Sequence, residues 1–493
     1  MLLRLVAGKF IRENQKIGQL KGKMDSRNIT RAVMFAVSVS IVGCSSYKFD
    51  QNVETINQDS NIVYAGEVIA ARDNAQQRVL NERARLLLAN ELSESNAVEL
   101  MLAKSPAFQS LLFENLVEGS LAAQSARIIN PTLSLERTVH GTETEFGRFL
   151  TFGLIDLATL PSRQAYADLA LNRASVNLES NIYTAVTDVR LAWLNAVAAE
   201  NRFSLVENMT IGLSASADLA KRMKQAGSMT TVDRIQQQLL FSDATIMLAE
   251  AKQKKLSTRE DLIRLLGLSG DEIERLRVPK DLTDIPDEPL DLASLVKNFE
   301  ERLDVKAARL DYEQSLQSLG IKNISTYTDI ELGLRSDRID DDGSISTKRG
   351  FELEVTIPVF DWGDLQREAL HSNVMAQRSN FEQTAVDAAS QLRVAYSAYR
   401  TAFDIAKHYQ NEIVPLQETL LDEANYNYNG MIIGVFDLLQ AGVDKSSAEL
   451  RALDSKHNLL MSSLSLHSVA IGKPVGVTPN GLSASVAKQD EEH

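Results

Sequence analysis

The residues best suited to acid–base or metal chemistry are six histidines and 66 acidic residues, and their arrangement predicts neither activity. The histidines lack the short spacing of metal ligands. They are His140, His371, His408, His457, His467 and His493. No Ser/His/Asp grouping lies in a supporting motif, no Gly-rich phosphate loop occurs, and the carboxylates fall on predicted solvated helix faces. We therefore expect no catalysis, no metal and no cofactor.

The single cysteine, Cys44, is an exception because its surroundings predict a chemical modification. Basic residues precede an apolar run from Ala32 to Val42, which is too short to span a bilayer. A glycine then precedes the cysteine, an order that resembles a bacterial lipoprotein signal. We predict that residues 1–43 are a signal peptide and that Cys44 carries lipid, including palmitate. The serine that follows predicts sorting to the outer membrane of a Gram-negative cell. The alternative is a buried free cysteine after a short core helix.

The charge balance argues against nucleic acid as a partner. The chain has a formal net charge of −14, and residues 1–43 contain eight basic and two acidic residues. Their removal would leave a net charge of −20. Nucleic-acid phosphates require a surplus of Lys and Arg, whereas this surface would favour cations.

Two stretches of the chain alternate at the period of a half-buried β-strand. The first stretch, 131–139, would be followed by a polar turn at 140–147 and a second strand at 148–157. Pro161 would then open a helix, where its missing N–H costs nothing. The second stretch, 328–335, has a turn at 340–344 and a cleaner partner strand at 351–357. Each stretch therefore predicts a β-hairpin.

The rest of the chain predicts helices in two copies of one pattern, helix–hairpin–helix, and an internal duplication outweighs local assignments. Residues 45–60 read as extended, and 62–125 as helical with a break near Ser105. A helix from Ser162 to about Gln225 would pair with 231–266. The predicted boundaries are 1–43 for the signal peptide, 44–90 for the lipidated segment and first helix, 91–266 for the first repeat (hairpin about 131–157), 267–290 for a linker, 291–472 for the second repeat (hairpin about 328–357) and 473–493 for a disordered tail. The second repeat would have helices at 291–322, from after Gly363 to about Asn429, and at 435–471.

A hairpin with one apolar and one charged face has two ordinary locations. It can cover a soluble core, or it can belong to a membrane barrel with lipid outside and water inside. Four strands cannot close a barrel, and an open edge in lipid leaves backbone groups unpaired. Three chains would supply twelve strands, enough to close around a water-filled lumen. The lipid interpretation therefore predicts a homotrimer.

Five fragments, in the right order across both repeats, resemble the outer-membrane efflux protein family, typified by TolC. The most specific is 355–363, Val-Thr-Ile-Pro-Val-Phe-Asp-Trp-Gly, at a strand-to-helix junction. The others are 130–135, 225–233, 302–309 and 428–439. The resemblance covers about 90–472 and implies a mainly α protomer with a small β part. In that family four strands per chain enter a trimeric twelve-stranded barrel, continuous with a long periplasmic α-helical barrel.

The resemblance also implies a function. The protein would be the passive outer-membrane channel-tunnel of a tripartite efflux or type I secretion system, anchored in outer-membrane lipid and extending into the periplasm. A periplasmic adaptor (membrane fusion) protein and an inner-membrane pump would be its partners. Gly227 and Gly430, at the turns between paired helices, would lie at the adaptor-docking tips. The alternative for both is a plain helix C-cap with positive φ.

The family implies an acidic gate at the second periplasmic tip. Asp437 matches the first gate position, whereas Gln440 stands where the second aspartate is expected, and Asp233 is the matching residue of the first repeat. The alternative is favourable placement of an acid near a helix N-terminus. Three copies of Asp437 at a constriction would attract cations.

The strands contain the residues that would form the wall of the predicted barrel. The predicted lumen-facing residues are Glu331, Arg335, Glu352, Glu354, Glu136 and Arg137. The predicted lipid-facing residues are Ile330, Leu332, Leu334, Phe351, Leu353, Val355 and Ile357. The alternative for the first group is the solvated face of a soluble sheet. Two rival functions remain open: a lipid-tethered periplasmic coiled-coil scaffold without a pore, and a lipoprotein enzyme, for which no motif is present.

Overall fold

The computed structural model describes residues 49–59, 66–141, 143–291, 301–325, 330–341, 343–357 and 359–474. Long helices dominate this part of the chain, and four strands form one sheet. The helices are α1 (Phe49–Asp59), α2 (Asn74–Leu87), α3 (Glu94–Lys104), α4 (Pro106–Ser125), α5 (Leu154–Gln225), α6 (Thr231–Leu266), α7 (Asp271–Arg275), α8 (Leu303–Ser325), α9 (Asp364–His408), α10 (Val414–Asn429) and α11 (Val435–Ile471). The strands are β1 (Thr132–His140), β2 (Glu143–Gly153), β3 (Ile330–Asp341) and β4 (Ser344–Val355).

Several predicted boundaries were wrong at the N-terminal side. The segment predicted as extended contains α1, because Phe49 and Val53 share one helical face and are buried in the main core. The predicted helical region 62–125 is divided into three helices. The expected break before Pro106 is confirmed. A second break separates α2 from α3, and Ser93 caps the start of α3 by accepting the backbone N–H of Asn96. Residues 1–48, with Cys44, lie outside the described part.

Both hairpins extend further than their apolar alternation predicts. The segment 143–147, predicted as a turn, belongs to β2, and 336–341 and 344–350 extend the second hairpin. These added segments carry polar residues on both faces, so their hydropathy does not alternate with the two-residue period of a half-buried strand. Backbone pairing alone continues the strands, and the turns reduce to two residues each.

The first long helix begins earlier than predicted. Helix α5 starts at Leu154 and includes Pro161 in its second turn rather than at its first position. A proline inside a helix leaves a carbonyl without its N–H partner. Near this point the side chain of Arg163 donates to the carbonyl of Asp156 at 3.2 Å. The 72 residues of α5 rise about 108 Å at about 1.5 Å each.

Each repeat places a long helix antiparallel to its returning partner. Helix α5 turns back into α6, as predicted, and Gly267 ends α6 in the left-handed region. In the second repeat α9 continues through a π-helical turn, Tyr409–Ile413, into α10, and α11 returns beside them. The π turn ends two residues before Pro415. A π turn is a usual way to accommodate a proline within a long helix.

The main core lies where α2 to α6 meet the linker. Trp193 is buried in it and donates its indole N–H to the carbonyl of Leu92 at 2.7 Å. A second core contains Phe403 beside Tyr399. Trp193 and Phe403 therefore have packing roles.

A charged residue fixes the beginning of α8. Arg302 is 2% exposed, and its Nε and Nη2 donate to the two carboxylate oxygens of Asp304 at 3.1 and 2.7 Å. Its Nη1 donates to the carbonyl of Ala388 in α9 at 3.2 Å. Gly472, after the end of α11, lies so close to Asp304 that a Cβ would overlap it. The Arg302–Asp304 pair therefore holds the start of α8 against α9, and Asp304 packs against the end of α11. Residues 292–300, in the predicted helix 291–322, lie outside the described part.

No helix in the described part of the chain combines the length and apolar character needed to cross a membrane.

Candidate functional site: a two-faced sheet and two helical tips

The sheet has strand order β1-β2-β3-β4, and every neighbouring pair is antiparallel. Directly paired residues point to the same face, so the register divides the side chains into two sets. Leu133, Leu150, Leu334 and Phe351 pair in one row across all four strands. Phe152, Leu332 and Leu353 form the next row. We call this side the apolar face.

The apolar face is exposed in the single chain. Phe351 is 79% exposed, and Leu133, Leu334 and Leu353 are exposed as well. Monomeric soluble proteins rarely leave such a contiguous apolar surface uncovered. The predicted lipid-facing residues of β3 and β4 all lie on this face.

The opposite side, which we call the polar face, contains five of the six charged residues predicted for the lumen, including Glu136 of β1. Glu331 pairs with Glu354, Glu352 pairs with Gly333, and Arg335 lies on the same side two residues further. On β3 this face is the more enclosed one, since Gly333, Asp337 and Ile339 are buried. The ring of Phe149 covers Gly333, where any Cβ would overlap it.

One predicted wall residue was wrong. Arg137 was grouped with Glu136 on the polar face, but consecutive strand residues point to opposite sides. Arg137 pairs with Phe146 on the apolar face, and its guanidinium lies 5.6 Å from the ring centroid.

A charge network occupies the polar face. Arg335 Nε lies 2.7 Å from Asp337 Oδ2, and Nη2 lies 3.8 Å from Glu145 Oε1. Asp337 is 6% exposed, and its Oδ1 has no hydrogen-bond partner among the described residues. Three carboxylates, Glu331, Glu352 and Glu354, lie nearer the helices. The face therefore carries charged residues along its length.

The first tip joins α5 to α6 through Gly227, which has φ of +79° as the C-cap alternative requires. Thr230 caps α6 by accepting the backbone N–H of Asp233 at 3.1 Å, and its hydroxyl donates to the Asp233 carboxylate at 2.7 Å. Asp233 is thus held at the third position of the returning helix, where the positive end of the helix dipole favours it.

The second tip has the same design with one difference. Gly430 has φ of −77°, which does not fit the C-cap alternative, and Met431 has the positive φ instead, at +59°. Met431 is 94% exposed, and Ile432 beside it is also exposed. Asp437 accepts the backbone N–H of Gly434 at 2.9 Å. Asp437 therefore matches Asp233 and closes the N-terminus of α11.

Sequence reasoning missed a second acidic residue near this tip. The amide of Gln440 donates to Asp444 at 2.9 Å. Asp444 follows Asp437 by seven residues, or two helical turns, so both lie on one side of α11. The signal was available as a seven-residue spacing of acids.

Charged groups also join the helices near the second tip. Lys445 of α11 lies 3.4 Å from Glu418 of α10 and 3.6 Å from Glu449. Partial burial works to lower the pKa of Lys445, but Glu449 and Glu418 outweigh it and hold that pKa above its ordinary value. Lys445 therefore stays cationic at neutral pH and links the two helices.

Among the described residues, no group of three or more His, Cys, Asp or Glu side chains could hold a metal ion. Burial lowers the pKa of His457, whose ring shares a 3.0 Å hydrogen bond with Asn195. This histidine joins α11 to α5 and has a structural role.

Comparison with solved structures identifies the architecture, although no family model and no curated protein matches the sequence. The Campylobacter jejuni CmeC outer membrane channel has a TM-score of 0.63 at 14% identity, over 81% of this chain and 87% of that one. The chain has the outer-membrane channel fold. VceC from Vibrio cholerae has a TM-score of 0.62 at 16% identity, over 77% and 96% of the two chains. The Neisseria gonorrhoeae MtrE channel has a TM-score of 0.60 at 15% identity, over 76% and 88%.

These likenesses confirm the predicted fold class, a mainly α protomer with a small four-stranded part. The roles of Asp437, Gln440, Asp233, Gly227 and Gly430 stay predictions.

Proposed function

We propose that the protein is a passive exit duct across the outer membrane, serving a tripartite efflux or type I secretion system. The observation that carries this proposal is the sheet with one exposed apolar face and one charged, more enclosed face. Lipid would cover the first face, and water would fill the space inside the second. The likeness to solved outer-membrane channels supports the same conclusion.

The duct requires three chains. A sheet of four strands leaves β1 and β4 as open edges, and unpaired backbone groups in lipid cost several kcal/mol each. Three sheets joined edge to edge would give twelve strands and no edge. The long helices would then surround a continuous passage into the periplasm. An inner-membrane pump would supply the energy, since the proposed role is transport without catalysis.

Reconstitution tests the duct directly. The protein purified from outer-membrane extracts should migrate as a heat-labile trimer and should form ion-conducting channels in a planar bilayer. The polar-face variant Glu352→Lys should shift its ion selectivity toward anions, because a charge in the lumen acts on passing ions. A monomer released from the membrane by lipid cleavage, without conductance, would favour the tethered scaffold and reject the duct.

The lipid anchor at Cys44 is part of the same proposal. Labelled palmitate should be incorporated into the wild-type protein, and Cys44→Ser should abolish that labelling because the thiol is the acylated group. Ser45→Ala is a matched control that leaves the cysteine in place. Equal labelling of Cys44→Ser and wild type would contradict lipidation at this residue.

The exposed tips would contact the periplasmic adaptor. Gly227 and Gly430 lie at the two turns, and the exposed Met431 and Ile432 offer an apolar contact surface at the second tip. A thiol-reactive cross-linker on Met431→Cys should capture the adaptor encoded beside the protein, whereas Leu256→Cys, an exposed position far from the turn along α6, should not. Equal capture at both positions would contradict tip docking.

The gate proposal assigns the charge of Asp437 to cation binding at the tip, with Asp444 two turns away. Asp437 also caps α11. Asp437→Ala would therefore remove both the charge and the helix cap, and its effect could not be assigned to either one. Asp437→Asn keeps an oxygen that can accept the Gly434 N–H but removes the charge. We expect Asn and Ala to relieve cation block of the channel equally. If Asn behaves like wild type and Ala does not, the residue is a helix cap only.

A further inference from the structure

Four arginines lie on the apolar face of the sheet, one on each strand. They are Arg137 on β1, Arg148 on β2, Arg338 on β3 and Arg349 on β4, and all are exposed. The register places Arg148 and Arg349 in one row, through Ser336. Arg137 and Arg338 lie in the next row toward the turns, through Phe146. We call these four residues the arginine belt.

The belt alternates between the two rows from strand to strand. Neighbouring members are therefore diagonal partners, with Cα atoms about 8 Å apart. Extended arginine side chains at this spacing can contact one phosphate group from two sides. If three chains close a barrel, the pattern continues around its circumference.

None of the four guanidinium groups has an ion-pair partner among the described residues. On the opposite face Arg335 is paired with Asp337. The one carboxylate on the apolar face of the described strands is Asp340, which accepts the backbone N–H of Gly343 at 3.3 Å. The belt thus carries an uncompensated positive charge in a chain whose net charge is −14.

The position of the belt matches a membrane border, an argument that rests on the proposed barrel. Arg349 is eight residues from Ile357, about 27 Å along a strand at about 3.4 Å per residue. At a tilt of about 40° this is about 21 Å along the membrane normal, and the second row lies at about 26 Å. The apolar band of such barrels is about 25 Å tall. Exposed Phe360 and Trp362 follow Ile357 at the other border.

Arginine at this border fits phosphate in both geometry and solvation. Its planar guanidinium donates two parallel hydrogen bonds to phosphate oxygens. Its aliphatic stem can lie along the apolar face while the charged group reaches the headgroups. We propose that the arginine belt binds the phosphate groups of phosphorylated glycolipids in the outer leaflet and so holds a ring of lipid around the barrel.

Lipid binding to the delipidated full-length protein in detergent tests the proposal. Diphosphorylated lipid A should bind the wild type and raise its thermal midpoint. R137Q/R148Q/R338Q/R349Q should weaken that binding about tenfold or more, since charge-assisted hydrogen bonds are lost. Arg349→Gln should weaken it partly. The matched control Lys348→Gln, the adjacent residue on the polar face, should leave it unchanged.

Each other outcome overturns the proposal. Equal binding by the quadruple Gln variant and wild type would show that the belt does not hold lipid. Binding of zwitterionic phosphatidylethanolamine with the same affinity would exclude phosphate-charge recognition. Full displacement of lipid A by millimolar inorganic phosphate would assign the belt to free anions. If the quadruple Gln variant fails to fold, the quadruple Lys variant keeps the charge without the planar fork, and unchanged binding there would also reject bidentate recognition.

Planar bilayers of phosphatidylethanolamine separate this inference from the duct itself. If the wild type forms channels in these bilayers and the quadruple Gln variant binds lipid A as well as the wild type does, the arginine-belt inference is rejected and the duct proposal is not. Absence of wild-type channels would reject the duct, whatever the lipid result.

Discussion

Replacement of Arg302 by leucine should lower the free energy of unfolding by about 3 kcal/mol or more. Removing one member of a buried ion pair usually costs about 3–5 kcal/mol, because the partner charge loses its counterion. Asp304, which would remain, is 24% exposed on its side chain, so water compensates part of the loss. The carbonyl of Ala388 would also lose a donor. Urea denaturation of the detergent-purified protein, followed by circular dichroism, measures the change.

The same helix offers a matched control. Arg309 lies 3.9 Å from Glu313 and is more than half exposed, so Arg309→Leu should cost less than about 1 kcal/mol. Arg302→Lys should give an intermediate result, since it keeps the charge but loses the two-pronged contact. Equal urea midpoints for the two leucine variants would show that Arg302 does not join the helices as described.

Replacement of Gly267 by alanine should cost about 3 kcal/mol. This glycine has φ of +70°, a conformation that costs other residues about 1–2 kcal/mol. A Cβ here would also lie 2.5 Å from Pro106 Cδ and 2.9 Å from Ser105 Cα, so the junction of α3 and α4 would have to move. Overpacking of this kind adds about 1–3 kcal/mol. The same denaturation experiment measures the loss.

Gly227→Ala separates the two contributions. Gly227 also follows a long helix with positive φ of +79°, but no atom lies within 4 Å of the place a Cβ would take. Its alanine variant should therefore show the backbone cost alone, about 1–2 kcal/mol. If both variants lose the same stability, the close approach of Gly267 to Pro106 contributes nothing.

The sequence predicted the long helices well because their determinants are local. Helix α6 was predicted within its observed limits, since Thr230 and Gly267 provide capping chemistry that depends only on nearby residues. The hairpin limits were less accurate. At 143–147 and 344–350 the strands are held by cross-strand backbone bonds, and their polar side chains give no amphipathic period. Only knowledge of the partner strand could have extended them.

The candidate site likewise contains some features that local sequence predicts and others that depend on contacts with distant residues. The polar-face residues Glu331, Glu352 and Glu354 follow from strand alternation. The same alternation places Arg137 opposite Glu136, so only its pairing with Phe146 required the register of β1 against β2. Met431 could not have been predicted as the residue with positive φ, since a glycine directly precedes it. The geometry of the six-residue turn 427–432 determines that Met431 has the positive φ. This turn is closed by the Ile432 N–H, which donates to the carbonyl of Asn427 at 2.8 Å.

The open edges of the sheet have a consequence for how the protein would reach its membrane. Strand β1 presents an unpaired backbone edge along its 9 residues, and β4 presents one along its 12 residues. In the proposed barrel a lone chain would therefore have no low-energy route into lipid, and insertion would have to wait for encounters with two others. Such a step depends steeply on concentration. A lipid tether would confine the search to a surface and raise the effective concentration of chains, so the anchor would act on the rate of biogenesis more than on the finished channel.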